Sequence, residues 1–231
     1  MAIEVIQFSS VDQFFNKQFV PIEGVQTFRG VRDADYQLVP SVGRWLGPAN
    51  HRNDYEKDLL NEFKRKALGY IERLPHSDWD WLFLAQHHGL PTRLLDWSTS
   101  PLIALHFALA ESDSANFAVY EANVADSVPV AKLVEKSISP FQVNLTLQVN
   151  PSYVAPRVER QSSVFTIHED PWLPMTSKNT IRKYMFPASA RRDGRRKLRH
   201  LGITSALLTP GLDGLTSDIS FSVDLRYNFN A

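Results

Sequence analysis

Among the features of this sequence, the segment PLIALHFALA at residues 101–110 constrains the fold most. Leu102, Ile103, Ala104, Leu105, Phe107, Ala108 and Leu109 leave almost no polar side, and a helix without a polar side has to be covered on all sides. Pro101 suits the first turn of such a helix, and Ser98 or Ser100 can cap it. The chain must therefore supply enough other elements to bury this one. Just before it, QHHGLPTRLLDW packs two histidines, a glycine, a proline, an arginine and an aspartate into a short span. This span reads as a punctuated loop.

The elements around the segment follow from spacing and punctuation. Residues 11–19 predict a short helix capped by Ser10 or Asp12, and residues 25–31 (VQTFRGV) a strand carrying Arg29. Residues 33–53 hold Pro40, Gly43, Gly47 and Pro48 and read as an extended loop. From Asp54 a helix is predicted with Leu59, Leu60, Phe63 and Ala67 inside and Glu56, Lys57, Glu62 and Lys66 outside. A second runs over 77–88, capped by Ser77 or Asp78 and stopped by Gly89. Strands are predicted at 117–121, 142–149, 164–168 and 181–186. A basic helix follows at 190–201, then a strand-turn segment over 205–215 and a last strand at 221–225. Strands that do not strictly alternate with helices predict a single α+β domain over 1–231 rather than a doubly wound parallel sheet.

Composition excludes several chemistries. Lys+Arg and Asp+Glu balance at 25 each in 231 residues, so no global charge points to nucleic acid or an anionic membrane. The absence of cysteine removes disulfide frameworks, zinc–thiolate and iron–sulfur sites and a cysteine nucleophile. It also fits a reducing cytoplasm, and with no signal-peptide pattern at the start a cytoplasmic, membrane-free protein is expected. No metal is expected either: His87 and His88 lack the i, i+4 spacing of a helical zinc pair.

The motifs carry a resemblance. Phe28-Arg29-Gly30, the QHHGLPTRLLDW segment at 86–97, a following Ser-Pro, Ala-x-x-Phe-Ala at 104–108, the run Arg157, Gln161, Phe165, Thr166 and the Leu-Asp-Gly-Leu at 212–215 together resemble the FRG domain family. A weaker similarity links the chain to ADP-ribosyltransferases of the Arg–Ser–Glu type. It rests on the order Arg29, Ser98-Thr99-Ser100, Phe107-Ala108, although Trp97 abuts Ser98 without the usual spacer. That similarity implies an ADP-ribosyltransferase-like core of short mixed strands flanked by helices. It also implies NAD as substrate, with transfer of ADP-ribose to an unidentified macromolecule or hydrolysis of NAD, as in a toxin or anti-phage effector.

Each expected role has a physical basis. Arg29 would clamp phosphates, with Gly30 letting them approach the backbone. Ser98, Thr99 and Ser100, at a helix start, would hold the nicotinamide ribose and amide. His87 would contact the cofactor, and His88 would act as acid or base. Glu159, with Gln161 beside it at i+2 on one face, would stabilise the oxocarbenium-like transition state; Glu169 is the alternative carboxylate. Arg93 and Asp96, three apart, are expected to bind each other or the backbone and to staple the loop. Arg191, Arg192, Arg195, Arg196 and Arg199 form a basic patch that could meet nucleic acid. Two rival readings stay open: a non-catalytic nucleotide- or nucleic-acid-sensing module, and a small hydrolase using His88 and Asp96.

Overall fold

The computed structural model describes residues 3–17, 19, 26–110, 114–123, 127–150, 160–175 and 181–227. Eight strands form one mixed sheet: β1 (Glu4–Gln7), β2 (Gln26–Val31), β3 (Leu94–Ser98), β4 (Phe117–Asn123), β5 (Ser127–Pro129), β6 (Leu147–Asn150), β7 (Ser163–Ile167) and β8 (Ile181–Phe186). Their order across the sheet is β1-β8-β4-β2-β3-β7-β6-β5. Only the two edge pairs, β1 with β8 and β5 with β6, are parallel. The α+β expectation therefore holds, with eight helices among the described residues: α1 (Asp12–Phe15), α2 (Arg52–Ala67), α3 (Asp78–His87), α4 (Pro101–Leu109), α5 (Val130–Glu135), α6 (Arg191–His200), α7 (Ser205–Leu208) and α8 (Leu212–Tyr227).

The sheet behaves as two halves. The outer four strands on one side, β1, β8, β4 and β2, pair over long registers, with β2 and β4 matched from Gln26–Asn123 to Val31–Ala118. On the other side β3 and β7 pair along their whole length. Between β2 and β3, however, the register holds a single pair, Phe28 opposite Ser98. Each half carries its own helices on the same face. Phe28, Val119, Tyr184 and Phe186 pack with α1, α4 and α6, whereas Leu94, Val149, Phe165 and Ile167 pack with α2, α3 and α5. Residues paired across adjacent strands share a face, so Phe28 opposite Ser98 places both helical groups on one side. The opposite face is closed by loop residues Ala34, Leu38 and Met175 packed on Leu95, Trp97 and Tyr120. A gap between two helical groups over a sheet that splits beneath them makes a cleft.

Local chemistry explains the helix starts. Ser77 accepts from the Asp80 amide at the head of α3, and Ser100 from the Ile103 amide at the head of α4, behind Pro101. Gly89 takes φ +82° directly after α3, the left-handed stop that glycine allows. As expected, α4 is buried at Ile103, Ala104, Leu105, Ala108 and Leu109.

Four expectations are corrected. The end of the expected loop, Leu94–Trp97, and the expected cap Ser98 together form the central strand β3, buried at every position except Asp96. The expected strand-turn segment over 205–215 and the expected strand at 221–225 are helical instead, in α7 and α8, with only residues 209–211 left as the turn between them. Glu56, expected on the outer face of its helix, is buried. The strand expected over 142–149 is limited to Leu147–Asn150, because Pro140–Gln142 form a 3-10 turn.

Candidate functional site

The cleft between α3 and α4 encloses a cavity of about 840 Å³. Its floor is Phe28, Arg29, Gly30, Asp96, Trp97 and Ser98, where the sheet divides. One wall is α4, through Ala104 and Phe107. The other is α3, through Phe83, Leu84, Gln86 and His87, with the 71–76 loop forming a rim and Gln161, Ser163 and Phe165 closing the back. The volume lies within the range of small-molecule sites, and the lining mixes aromatic surface with a few charged groups.

The floor is built by the diverging strands. If the Phe28–Ser98 register continued, Gly30 would sit opposite Asp96. Instead the strands part and the Arg29 side chain spans the gap, Nη1 donating to the Asp96 carbonyl at 2.6 Å. The Asp96 carboxylate lies farther off, with Oδ2 at 3.8 Å from the same nitrogen. Burial pulls the Arg29 guanidinium down from its ordinary value; Asp96 opposes that shift and Arg44 adds to it. The guanidinium stays charged, because arginine does not deprotonate in proteins. Asp96 is in turn held by Gln86, whose Nε2 donates to Oδ2 at 2.7 Å. Thr92 fixes Gln86 by donating from Oγ1 to Oε1 at 2.5 Å, and Thr92 Oγ1 also receives the Leu94 amide. Gln86, Thr92 and Asp96 of the long motif thus form one chain of hydrogen bonds ending at Arg29 of the Phe-Arg-Gly motif.

The structure brings Arg29, Gly30, His87, Ser98 and Gln161 to this cavity. His88 caps the end of α3, exposed and outside the lining, its ring edge-on to His87 with centroids 4.9 Å apart. Ser98 is buried, donating to the Gln161 carbonyl at 2.7 Å and receiving the Ser100 amide at 3.1 Å. Thr99 is exposed and its amide donates to Ser162, which holds φ +47° at the back of the cavity. Ser100 caps α4. Glu159 and Arg157 lie outside the described residues; Glu169 is exposed and does not line the cavity.

Two assigned roles change. A Cβ on Gly30 would lie 1.8 Å from the Ala104 carbonyl oxygen and 2.6 Å from the Ala108 amide nitrogen. The missing side chain therefore lets α4 pack onto β2, and Gly30 is explained without a ligand. Arg93 does not pair with Asp96. It makes a buried two-pronged bond to Glu56, Nε to Oε1 at 2.7 Å and Nη2 to Oε2 at 2.6 Å, and adds the Pro140 and His168 carbonyls. Arg93 thus ties the start of β3 to α2 rather than stapling a loop.

The basic helix is also drawn into the protein. Arg191 is buried, stacked on Phe117 and bonded to the Ala108, Ala115 and Arg32 carbonyls, closing the end of α4. Arg195 stacks on Phe221, Arg196 pairs with Asp193, and Arg199 approaches Asp218. Arg192 is half-buried.

Sequence reading missed His168 and Gln86 as members of the site's support. His168 is buried behind the floor, its Nε2 3.0 Å from Thr166 Oγ1, which also accepts from Trp97 Nε1 at 3.0 Å. The Thr166 hydroxyl thus bridges the indole of Trp97 and the imidazole of His168. Burial, helped by Arg29 and Arg93, pulls its pKa down to about 3, and burial likewise takes His106 to about 4. The unfolded imidazole takes up a proton below about 6.5, whereas folded His168 does so only near 3. The unfolded state thus binds more protons across that window, and stability falls as the pH falls. His168→Gln is expected to flatten the decline of the urea midpoint between pH 6.5 and 4; equal slopes in the two proteins would refute this.

The family model for the FRG domain matches residues 25–116. The chain carries an FRG domain. The matched span supplies the floor of the cleft and both helical walls, from β2 through α4, while the back wall from Gln161 to Phe165 lies beyond the FRG match. No curated protein and no solved structure matches the chain.

Proposed function

We propose that the cleft binds NAD on an ADP-ribosyltransferase-like core, and that the protein transfers ADP-ribose to a macromolecule or hydrolyses NAD. What supports the reading is the convergence of Arg29, His87, Ser98 and Gln161, far apart in sequence, on one cavity large enough for a nucleotide. In the proposed step the bond from the ribose anomeric carbon to the nicotinamide nitrogen breaks, and nicotinamide leaves with the electron pair. Water or an acceptor nucleophile then adds to the cation and releases a proton. Arg29 offers fixed donors for the phosphates, and the aromatic walls from Phe83 and Phe107 suit a flat heterocycle. His87, on the α3 wall, offers an imidazole for the released proton.

Arg29→Ala is expected to lower both nucleotide affinity and nicotinamide release by about 10- to 100-fold, the loss of charge-assisted bonds to phosphate. Calorimetry and a nicotinamide assay on wild type and variant check this. If wild type neither binds nucleotide nor releases nicotinamide, the proposal fails. One observation favours a second reading, binding without turnover: the Ser98 hydroxyl donates to a protein carbonyl and Asp80 Oδ2 already accepts from Ser77 Oγ. Tight nucleotide binding with no nicotinamide release would establish it.

A further inference from the structure

β3 is buried at Leu94, Leu95, Trp97 and Ser98, and its one exposed position, Asp96, opens into the cavity. A charged side chain on a central strand needs a polar or wet surround, and the open cavity supplies it. Asp96 is half exposed and oriented: Gln86 holds Oδ2 at 2.7 Å, and Thr92 holds Gln86. Arg29 donates to the Asp96 carbonyl and stands 3.8 Å from its carboxylate, so the ion pair is loose. Among the described residues no hydrogen bond reaches Oδ1. The floor thus presents a guanidinium with unused donors beside a carboxylate with an unused acceptor.

We infer that Asp96 is the ribose-reading group of the cleft, its free carboxylate oxygen accepting hydrogen bonds from a vicinal diol next to a phosphate held by Arg29. The inference rests on the nucleotide reading above and adds the class of sugar. An ionised carboxylate only accepts, so it complements two hydroxyls and repels a phosphate placed directly on it. A ligand satisfying both groups carries an anion and a diol side by side, as a ribonucleoside 5′-phosphate does. The other described carboxylates of the cavity do not compete. Asp80, whose Oδ2 accepts from the His76 amide and Ser77 Oγ, stands at the head of α3 and forms no ion pair with Arg29, and Glu72 sits exposed on the rim. Gln86 acts through Asp96 and is a positioning residue.

The test is calorimetric titration of the intact protein with ADP and with 2′,3′-dideoxy-ADP. Wild type is expected to bind ADP about tenfold tighter, the value of one or two charge-assisted hydrogen bonds. In Asp96→Asn the preference should shrink to about twofold, with the dideoxy ligand bound as well as before or better, because a negative charge beside Arg29 has gone. Gln86→Leu, which keeps the carboxylate but frees it, should narrow the preference without abolishing it, giving a second measure if Asp96→Asn does not fold. Equal binding of the two nucleotides by wild type, or a full preference in Asp96→Asn, overturns the inference and leaves the nucleotide reading standing. Failure of wild type to bind ADP at all overturns both.

Discussion

Replacing Glu56 with alanine is expected to lower the unfolding free energy by about 3–5 kcal/mol, because it strands a buried guanidinium. The Arg93 and Glu56 side chains are 5% and 2% exposed, and their two-pronged bond is the direct tie between β3 and α2. Arg93 would keep the Pro140 and His168 carbonyls, at 3.2 and 3.4 Å, but these are neutral acceptors and leave the charge uncompensated. For a chain of this length the loss corresponds to a fall in melting temperature of roughly 2–4 °C per kcal/mol. Urea unfolding of Glu56→Ala, set beside the double variant Glu56→Leu/Arg93→Met, separates charge from packing. The double variant should recover part of the loss, since an apolar pair of similar volume needs no compensation. A Glu56→Ala protein within about 1 kcal/mol of wild type, the value of a surface pair, would show that water reaches Arg93.

Glu56 also marks where sequence reading stops. Its helix was legible from the spacing of Leu59, Leu60, Phe63 and Ala67, but a glutamate on an amphipathic helix is normally outside. The partner that draws it in lies 37 residues away, at Arg93. The same holds for β3: an aspartate and a run of turn-forming residues just before it read as loop, and the strand exists because β7 pairs along its whole length. In contrast α3 and α4 are set by local chemistry, Ser77, Gly89, Ser100 and Pro101, and were legible as such. α8 misread in the other direction, because Phe221, Val223 and Leu225 have strand preference while docking on α6 and α7 keeps them helical. At the site, Arg29, His87, Ser98 and Gln161 were legible by residue type. The Thr92–Gln86–Asp96 support was not, because it depends on side-chain geometry across a strand and a helix end.

Gly30→Ala is expected to cost about 3 kcal/mol or more, at the upper end of overpacking. The new methyl would meet the Ala104 carbonyl oxygen and the Ala108 amide, both backbone atoms of α4 that no rotamer change can move. Relief requires α4 to lift from β2, and α4 is one wall of the cleft. The variant should therefore melt early and bind nucleotide weakly, with the two losses tracking each other across added stabilising osmolyte. Weak binding at undiminished stability would instead mean that Gly30 admits a ligand to the backbone, as its motif suggested.

The single pair joining β2 to β3 has a consequence for how the molecule is assembled in time. The half that contains β3, β5, β6 and β7 takes its strands from Leu94 to Ile167, a stretch that also carries α4 and β4 of the other half, and its helices α2, α3 and α5 come from nearby sequence. The other half pairs Glu4 with Arg182, partners separated by nearly the whole chain, so its outer strands wait for the most distant closure. During synthesis the first half has everything it requires before β8 exists. The floor around Arg29 and Asp96 belongs to neither half alone. On the proposed reading, a nucleotide in the cleft would report the joining of the two halves.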